Sequence, residues 1–251
     1  LIKKVFTANL FPSIIAGLAV TIGIVIDGIL TGNLIGLKGL AVIGLATPLF
    51  LFFVGIAGVL REGGVACCAE YVGRGEPGKV NINFTAAVST TFLAGLVFTV
   101  FGTFFTDALA VLLGAQGELL LMFKEYAFGI CLGAIPIMLS QVIYFYVQLD
   151  GSPTLCVVSA VTGVVVNVVL DVIMVLVFHL GMLGMALATT ISYTVILLLL
   201  LIHFTKKGNS LNLSFAGNLP RELSKVIAIG FPTALEMWSY MLRVGVLNRL
   251  L

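Results

Sequence analysis

Seven apolar runs, each about twenty residues or longer, constrain this chain more than any other feature. About 20 mostly apolar residues cross the hydrocarbon core of a bilayer as a helix. Lipid offers no water to an open backbone, so such runs must satisfy their peptide groups within the helix. The runs fall at about 9–31, 40–60 (with helix continuing toward Val72), 86–113, 120–147, 154–178, 182–204 and 225–247. Turn-forming stretches separate them: Gly36-Leu37-Lys38-Gly39, Gly73-Arg74-Gly75-Glu76-Pro77-Gly78, Gly114-Ala115-Gln116-Gly117, Asp150-Gly151-Ser152-Pro153, His179-Leu180-Gly181, and the polar segment from Lys206 to Glu222. The chain is 60% hydrophobic and 10% charged, against about 45–50% and about 25% in soluble domains. The expected class is an all-α integral membrane protein.

Net charge is +2 and the basic residues gather in particular loops, not on one face. That is no footprint for nucleic acid. Cys67, Cys68, Cys131 and Cys156 follow no metal-ligand spacing and read as small core hydrophobes. Lys3 and Lys4 before the first run resemble a signal-peptide n-region, but that run is too long and has no small-x-small cleavage site. It reads as a retained helix.

Basic residues then choose the orientation. With the N-terminus inside, the inner segments hold Lys3, Lys4, Arg61, Arg74, Lys79, Lys206, Lys207, Arg221 and Lys225; the outer ones hold Lys38, Lys124 and Arg243 or Arg249. The positive-inside bias predicts a cytoplasmic N-terminus in a multi-pass protein of the cell membrane. Asn83-Phe84-Thr85 and Asn212-Leu213-Ser214 match the glycosylation pattern, but both fall on the inner side and are set aside.

Leu10-Phe11-Pro12-Ser13 recurs as Gly230-Phe231-Pro232-Thr233, early in the first and seventh runs. Six spans and then an echo of the first is the pattern of a transporter built from two parallel six-helix halves. The chain therefore reads as a fragment: a six-helix N-terminal lobe (1–205), a cytoplasmic linker (206–224), and the first helix of a second lobe (225–251) expected in the full-length chain.

Two acids interrupt the apolar runs, Asp27 and Asp171. An Asp at the centre of a spanning helix costs about 2.5–3.5 kcal/mol, which marks a functional position. Both helices run outward, and each acid lies about 17–18 residues along, so they share one depth in the outer half of the membrane. Asn167 is one turn before Asp171 on the same helix face. Tyr126 in span four and Thr189 in span six reach that level from helices of opposite direction. Carboxylate, amide and hydroxyl oxygens are hard ligands that suit Na⁺. A carboxyl in a low-dielectric site can equally carry a proton near neutral pH. The structural alternative puts Asp27 at the water interface and gives Asn167 a helix–helix hydrogen bond.

Other features have weaker readings. Gly28, Gly32 and Gly36, four apart, read as a packing stripe with a hinge as the alternative. Pro12 and Pro136 can kink their helices. Ser152 or Thr154 can cap span five. Arg61-Glu62 reads as interfacial, Glu236 as either cavity-facing or interfacial, and His179 as a solvated loop residue.

Asp150-Gly151-Ser152-Pro153, Asn167-Val168-Val169-Leu170-Asp171 and Gly181-Met182-Leu183-Gly184-Met185-Ala186-Leu187-Ala188-Thr189 resemble the multidrug and toxic compound extrusion (MATE) family. So do Pro12 followed by Asp27, and the Gly73-Arg74-Gly75-Glu76 loop. The resemblance implies a twelve-helix, two-lobe antiporter that expels cationic or amphipathic compounds, driven by H⁺ or Na⁺ entry, with no other cofactor. It implies that Asp27, Asn167, Asp171 and Thr189 form the cation-coupling site, with Tyr126 nearby and Glu236 as an outlying candidate. Arg61-Glu62 departs from the family pattern. Two other functions compete. A flippase of lipid-linked precursors would hold cations in its cavity for a phosphate-bearing substrate, whereas the intramembrane charges here read as acidic. A lipid-modifying enzyme needs paired acids or a His near the interface, and no nucleophile–His pair stands out.

Overall fold

The computed structural model describes residues 2–206 and 208–250, with side chains over 10–206 and 208–246. The side chains of Lys3, Lys4 and Arg249, and all of Lys207, lie outside the described residues. All regular structure among the described residues is helical. The helices are α1 (Ile2–Leu34), α2 (Leu37–Gly73), α3 (Pro77–Phe104), α4 (Thr106–Leu112), α5 (Glu118–Leu132), α6 (Ala134–Leu149), α7 (Pro153–Val172), α8 (Gly181–Leu201) and α9 (Leu219–Leu250). A π turn, Ile173–Val177, extends α7, and a 3₁₀ turn, Ile202–Thr205, extends α8.

Among the described residues, α1, α2, α3, α7 with its π turn, and α8 with its 3₁₀ turn are long and apolar enough to cross a membrane. The α5–α6 pair makes a sixth crossing, bent by 49°. The chain is a multi-pass membrane protein. α9 covers the seventh expected run as one long helix, but with Arg221, Glu222, Lys225, Glu236 and Arg243 along it, α9 does not join the apolar set.

The departures from the expected spans have local causes. α3 starts at Pro77, well before 86, because a proline at the first helical position gives up an N–H that a helix start leaves unpaired anyway. The run to 113 is cut at Phe105, and Thr106–Leu112 forms a separate short helix. The span over 120–147 breaks at Gly133. Pro136 lacks the N–H that would reach Leu132, and its ring crowds that carbonyl. Pro12, by contrast, lies inside an unbroken α1. Ser152 occupies the N-cap position of α7 without capping it, and its hydroxyl pairs with His203 Nδ1 at 3.0 Å instead. The expected glycine stripe does not pack as one. A Cβ at Gly28 or Gly36 would meet nothing within 4 Å, and only Gly32 has a neighbour, the Leu40 side chain. Gly36 serves the α1–α2 turn, with φ of +96° that a residue with a Cβ rarely adopts.

The core joins Phe53 and Leu60 of α2, Phe84 of α3, Ile130 of α5, and Met138 and Tyr146 of α6. Tyr146 donates to Asn83 Oδ1 at 2.8 Å, and Cys68 Sγ reaches the same oxygen at 3.2 Å. Asn83 is fully buried, a physical reason beyond topology for setting aside its glycosylation pattern.

The most extensive helix pairing is between α2 and α9. A Cβ at Gly63 would stand 1.9 Å from the Val226 carbonyl oxygen, and one at Gly230 would stand 2.0 Å from that of Val59, so the two backbones touch. Close approach through small residues is the usual way helices associate where water does not drive packing. At the start of α9, Tyr71 donates to Glu222 Oε2 at 2.6 Å and Lys225 donates to Glu222 Oε1 at 2.8 Å. Burial pushes the Glu222 carboxyl up, but the bonds from Lys225 and Tyr71 prevail and hold it below its ordinary range. α1 leans on α7 and touches α2 little. Much of its apolar surface is exposed, including Phe11, Leu18, Ile24 and Ile29.

Candidate functional site

Asp27 stands seven residues before the end of α1, and Asp171 six before the end of the π turn that follows α7. Tyr126 stands eight residues into α5, and Thr189 eight into α8. All four are thus roughly 9–12 Å along the axis from the same end of the bundle. The common depth expected for these residues is what the helix boundaries give.

A cavity of about 600 Å³ opens among α1, α2, α5, α6, α7 and α8. Asp27, Asn167, Thr189 and Tyr126 line it. Asp171 does not: it is fully buried beside the cavity, and neither carboxylate oxygen meets a hydrogen-bond donor. The carboxyls of Asp27 and Asp171 lie within electrostatic reach of one another and of the Tyr126 hydroxyl. Asn167 Nδ2 is also buried without a partner, so the helix–helix hydrogen bond considered for it is not made by that atom. Thr189 Oγ1 donates to Met185 O at 3.1 Å, which leaves its lone pairs for another group. Two unpaired buried carboxylate oxygens are costly unless a cation or a proton joins them. Among the described residues no three His, Cys, Asp or Glu side chains converge. A cation here would therefore draw on the Asn167 amide and the Thr189 hydroxyl as well as the two acids. The π turn that begins two residues after Asp171 is a further mark, since such turns concentrate at functional positions.

The cavity continues toward the other end of the bundle, past Ser13, Gln141 and Gln148 to Arg61. Gln148 Nε2 donates to Ser13 Oγ at 2.8 Å and ties α6 to the early part of α1. Arg61, read as interfacial, faces this cavity. Its side chain is 17% exposed, lines the cavity, and lies 4.6 Å over the Phe145 ring. It pairs with Glu62, whose side chain is 47% exposed. The charge lining the cavity is therefore not acidic alone. The apolar pattern resumes from Gly63 to Cys68 beyond Arg61, which was the signal that Arg61 sits within a helix rather than at its end. Glu236 is exposed on α9 and does not join the site. His179 is exposed in its loop, as expected.

A second polar cluster was not legible in the sequence. His203 Nε2 pairs with Asp150 Oδ2 at 2.7 Å, and Asp150 also accepts from the Ser210 backbone N–H at 3.1 Å and from the Ser210 hydroxyl. These groups join the α6–α7 turn, the end of α8 and the following linker, 53 to 60 positions apart in sequence. No spacing rule connects them.

Known proteins bear on this geometry. The chain is 28% identical over 217 residues to the multidrug export protein MepA of Staphylococcus saprophyticus, covering 84% of this chain and 48% of that protein. It is 27% identical to MepA of Staphylococcus aureus strain MRSA252, with 78% and 44% covered. It thus spans about half the length of the curated relatives it matches. The fold is that of solved MATE transporters. One, the multidrug transporter DinF-BH with a dye bound, superposes with a TM-score of 0.90 at 23% identity, covering 98% of this chain and 55% of that one. Another, a MATE family transporter in an outward-facing conformation, superposes with a TM-score of 0.85 at 24% identity, covering 94% and 53%. The MatE family model matches residues 12–173, well over half of the chain, including Asp27, Asn167 and Asp171. On that match, the chain belongs to the MATE family.

Proposed function

We propose that this chain is the N-terminal lobe (1–205), the cytoplasmic linker (206–224) and the first helix of the second lobe (225–251) of a cation-coupled antiporter. It exports cationic or amphipathic small molecules across the cell membrane, with its N-terminus in the cytoplasm. The observation that carries the reading is the pair of buried Asp171 oxygens that meet no donor, beside Asp27, at one end of a cavity lined by Asn167. The kinship to multidrug export proteins supports a transporter in preference to an enzyme.

In this mechanism H⁺ or Na⁺ enters from outside and is held by Asp27 and Asp171, with Asn167 and Thr189 completing the oxygen set. Neutralising the two acids removes their mutual repulsion, which resets how α1 packs on α7. α1 suits such a change because it is held mainly by α7 and at its far end by the Ser13–Gln148 bond. The altered α1 disfavours substrate in the cavity and releases it outside, and rocking of the two lobes alternates access. Tyr126 bounds the site and presents its hydroxyl to the acids.

The test is efflux by the full-length protein. Asp27→Asn and Asp171→Asn each abolish ethidium efflux while expression at the membrane is kept. Normal efflux by both variants would sink the reading. Flux measured under a pH gradient alone and under an Na⁺ gradient alone identifies the ion.

A further inference from the structure

The export cavity carries opposite charges at its two ends. Asp27 stands at one. At the other, Arg61 lines the wall within one helical turn of the Gln148–Ser13 level, since it stacks on Phe145. The rise from Ser13 to Asp27 along α1 is about 21 Å. The cavity is therefore polarised along its length, with mostly apolar wall between.

Arg61 is held ready for a partner. Phe145 packs against its guanidinium, and Glu62 Oε1 accepts from Nε and Nη2, each at 2.9 Å. A guanidinium has five N–H donors in a fixed fork, so three remain for another acceptor. Gln141 and Gln148 line the same wall and carry amide donors. A planar fork flanked by amides on a cavity wall is the chemistry that binds a carboxylate or another oxyanion. Arg61 is mostly buried against the cavity wall, while Glu62, its neighbour, is half exposed.

We infer that Arg61, with Gln141 and Gln148, forms a subsite for an anionic group of the substrate. The cavity then favours amphipathic zwitterions, with the cationic end toward Asp27 and the oxyanion at Arg61, over simple monocations of the same shape. The inference rests on the export reading, and separate measurements of binding and efflux keep the two apart.

The probes are a rhodamine ethyl ester, which is a cation, and its free acid, a zwitterion on the same ring system. Fluorescence polarisation with detergent-solubilised full-length protein reads binding, and efflux from cells reads export. The wild type binds the free acid more tightly than the ester. Arg61→Gln lowers the ratio of free-acid to ester affinity by about tenfold, the loss of one charge-assisted contact. Arg61→Lys restores part of the preference, and Glu62→Gln raises it by freeing the fork. Equal weakening of both dyes by Arg61→Gln, an unchanged ratio, or a wild type that binds neither dye overturns the subsite. A shifted binding ratio in a protein that exports neither dye leaves the subsite standing and sinks the export reading.

Discussion

Asp171 and Asn83 are both fully buried polar residues, and they solve that position differently. Asn83 Oδ1 accepts a hydrogen bond from Tyr146 and only its Nδ2 is left unpaired, while neither oxygen of Asp171 meets a hydrogen-bond donor. An unpaired amide N–H costs less than a carboxylate with no donor at all, which calls for an ion or a proton. The first case makes a direct prediction. Tyr146→Phe removes the donor at 2.8 Å and costs about 1–2 kcal/mol, because the buried Asn83 Oδ1 then keeps only the weaker Cys68 thiol donor. Thermal unfolding of the detergent-solubilised protein checks this as a midpoint lowered by a few degrees. An unchanged midpoint would show that the bond contributes nothing. Arg61 makes the complementary point. Its sequence neighbourhood placed it at the inner end of a span, and the packing of α2 on α6 sets it on the cavity wall beside Phe145.

Two devices act at the scale of the helix. The first is the break at Gly133, which bends the α5–α6 crossing by 49°. Thr190 packs into the space that a Cβ at Gly133 would need, 2.1 Å from its Oγ1, and donates to Gly129 O at 2.8 Å. The second is the seam between α2 and α9. Gly63→Ala sets a methyl 1.9 Å from a backbone oxygen, and backbone cannot yield as a side chain can. The helices must separate, at a cost of about 1–3 kcal/mol. Gly58→Ala, on the same helix, meets Thr233 Cγ2 at 3.4 Å, an ordinary contact, and leaves the seam in place. Crosslinking between cysteines placed on α2 and α9 reads the difference: yield falls for Gly63→Ala and holds for Gly58→Ala. Equal yields would remove the seam from the account.

The bundle as a whole is fastened at one end by its linker. Asp150 holds the Ser210 N–H, Asn81 Oδ1 accepts from the Asn212 N–H at 2.9 Å, and Thr85 Oγ1 accepts from the Ser214 N–H at 2.7 Å. Gly217 lies against Ile82. The polar stretch between α8 and α9 is thus laid along α3 and does not swing free. Asp150→Ala removes the bond to His203 and the two bonds to Ser210 together. Limited proteolysis of that variant cuts within residues 208–218 faster than in the wild type. Equal cleavage rates would mean that the linker is held elsewhere.

The sequence by itself determined the membrane class, the position of six of the seven expected apolar crossings and the level of the candidate site. Hydropathy, helix rise and turn residues are local properties, and they place Asp27, Asn167, Asp171, Tyr126 and Thr189 on one plane before any packing is known. The tertiary structure decided which helices meet. It put Asp171 behind the cavity wall and Asn167 on it, docked α9 onto α2 through Gly63 and Gly230, and joined His203 to Asp150. It also set Arg61 on the cavity wall. Those outcomes depend on side chains from helices far apart in sequence sharing one space. Periodicity along a single chain carries no information about which face of one helix meets which face of another.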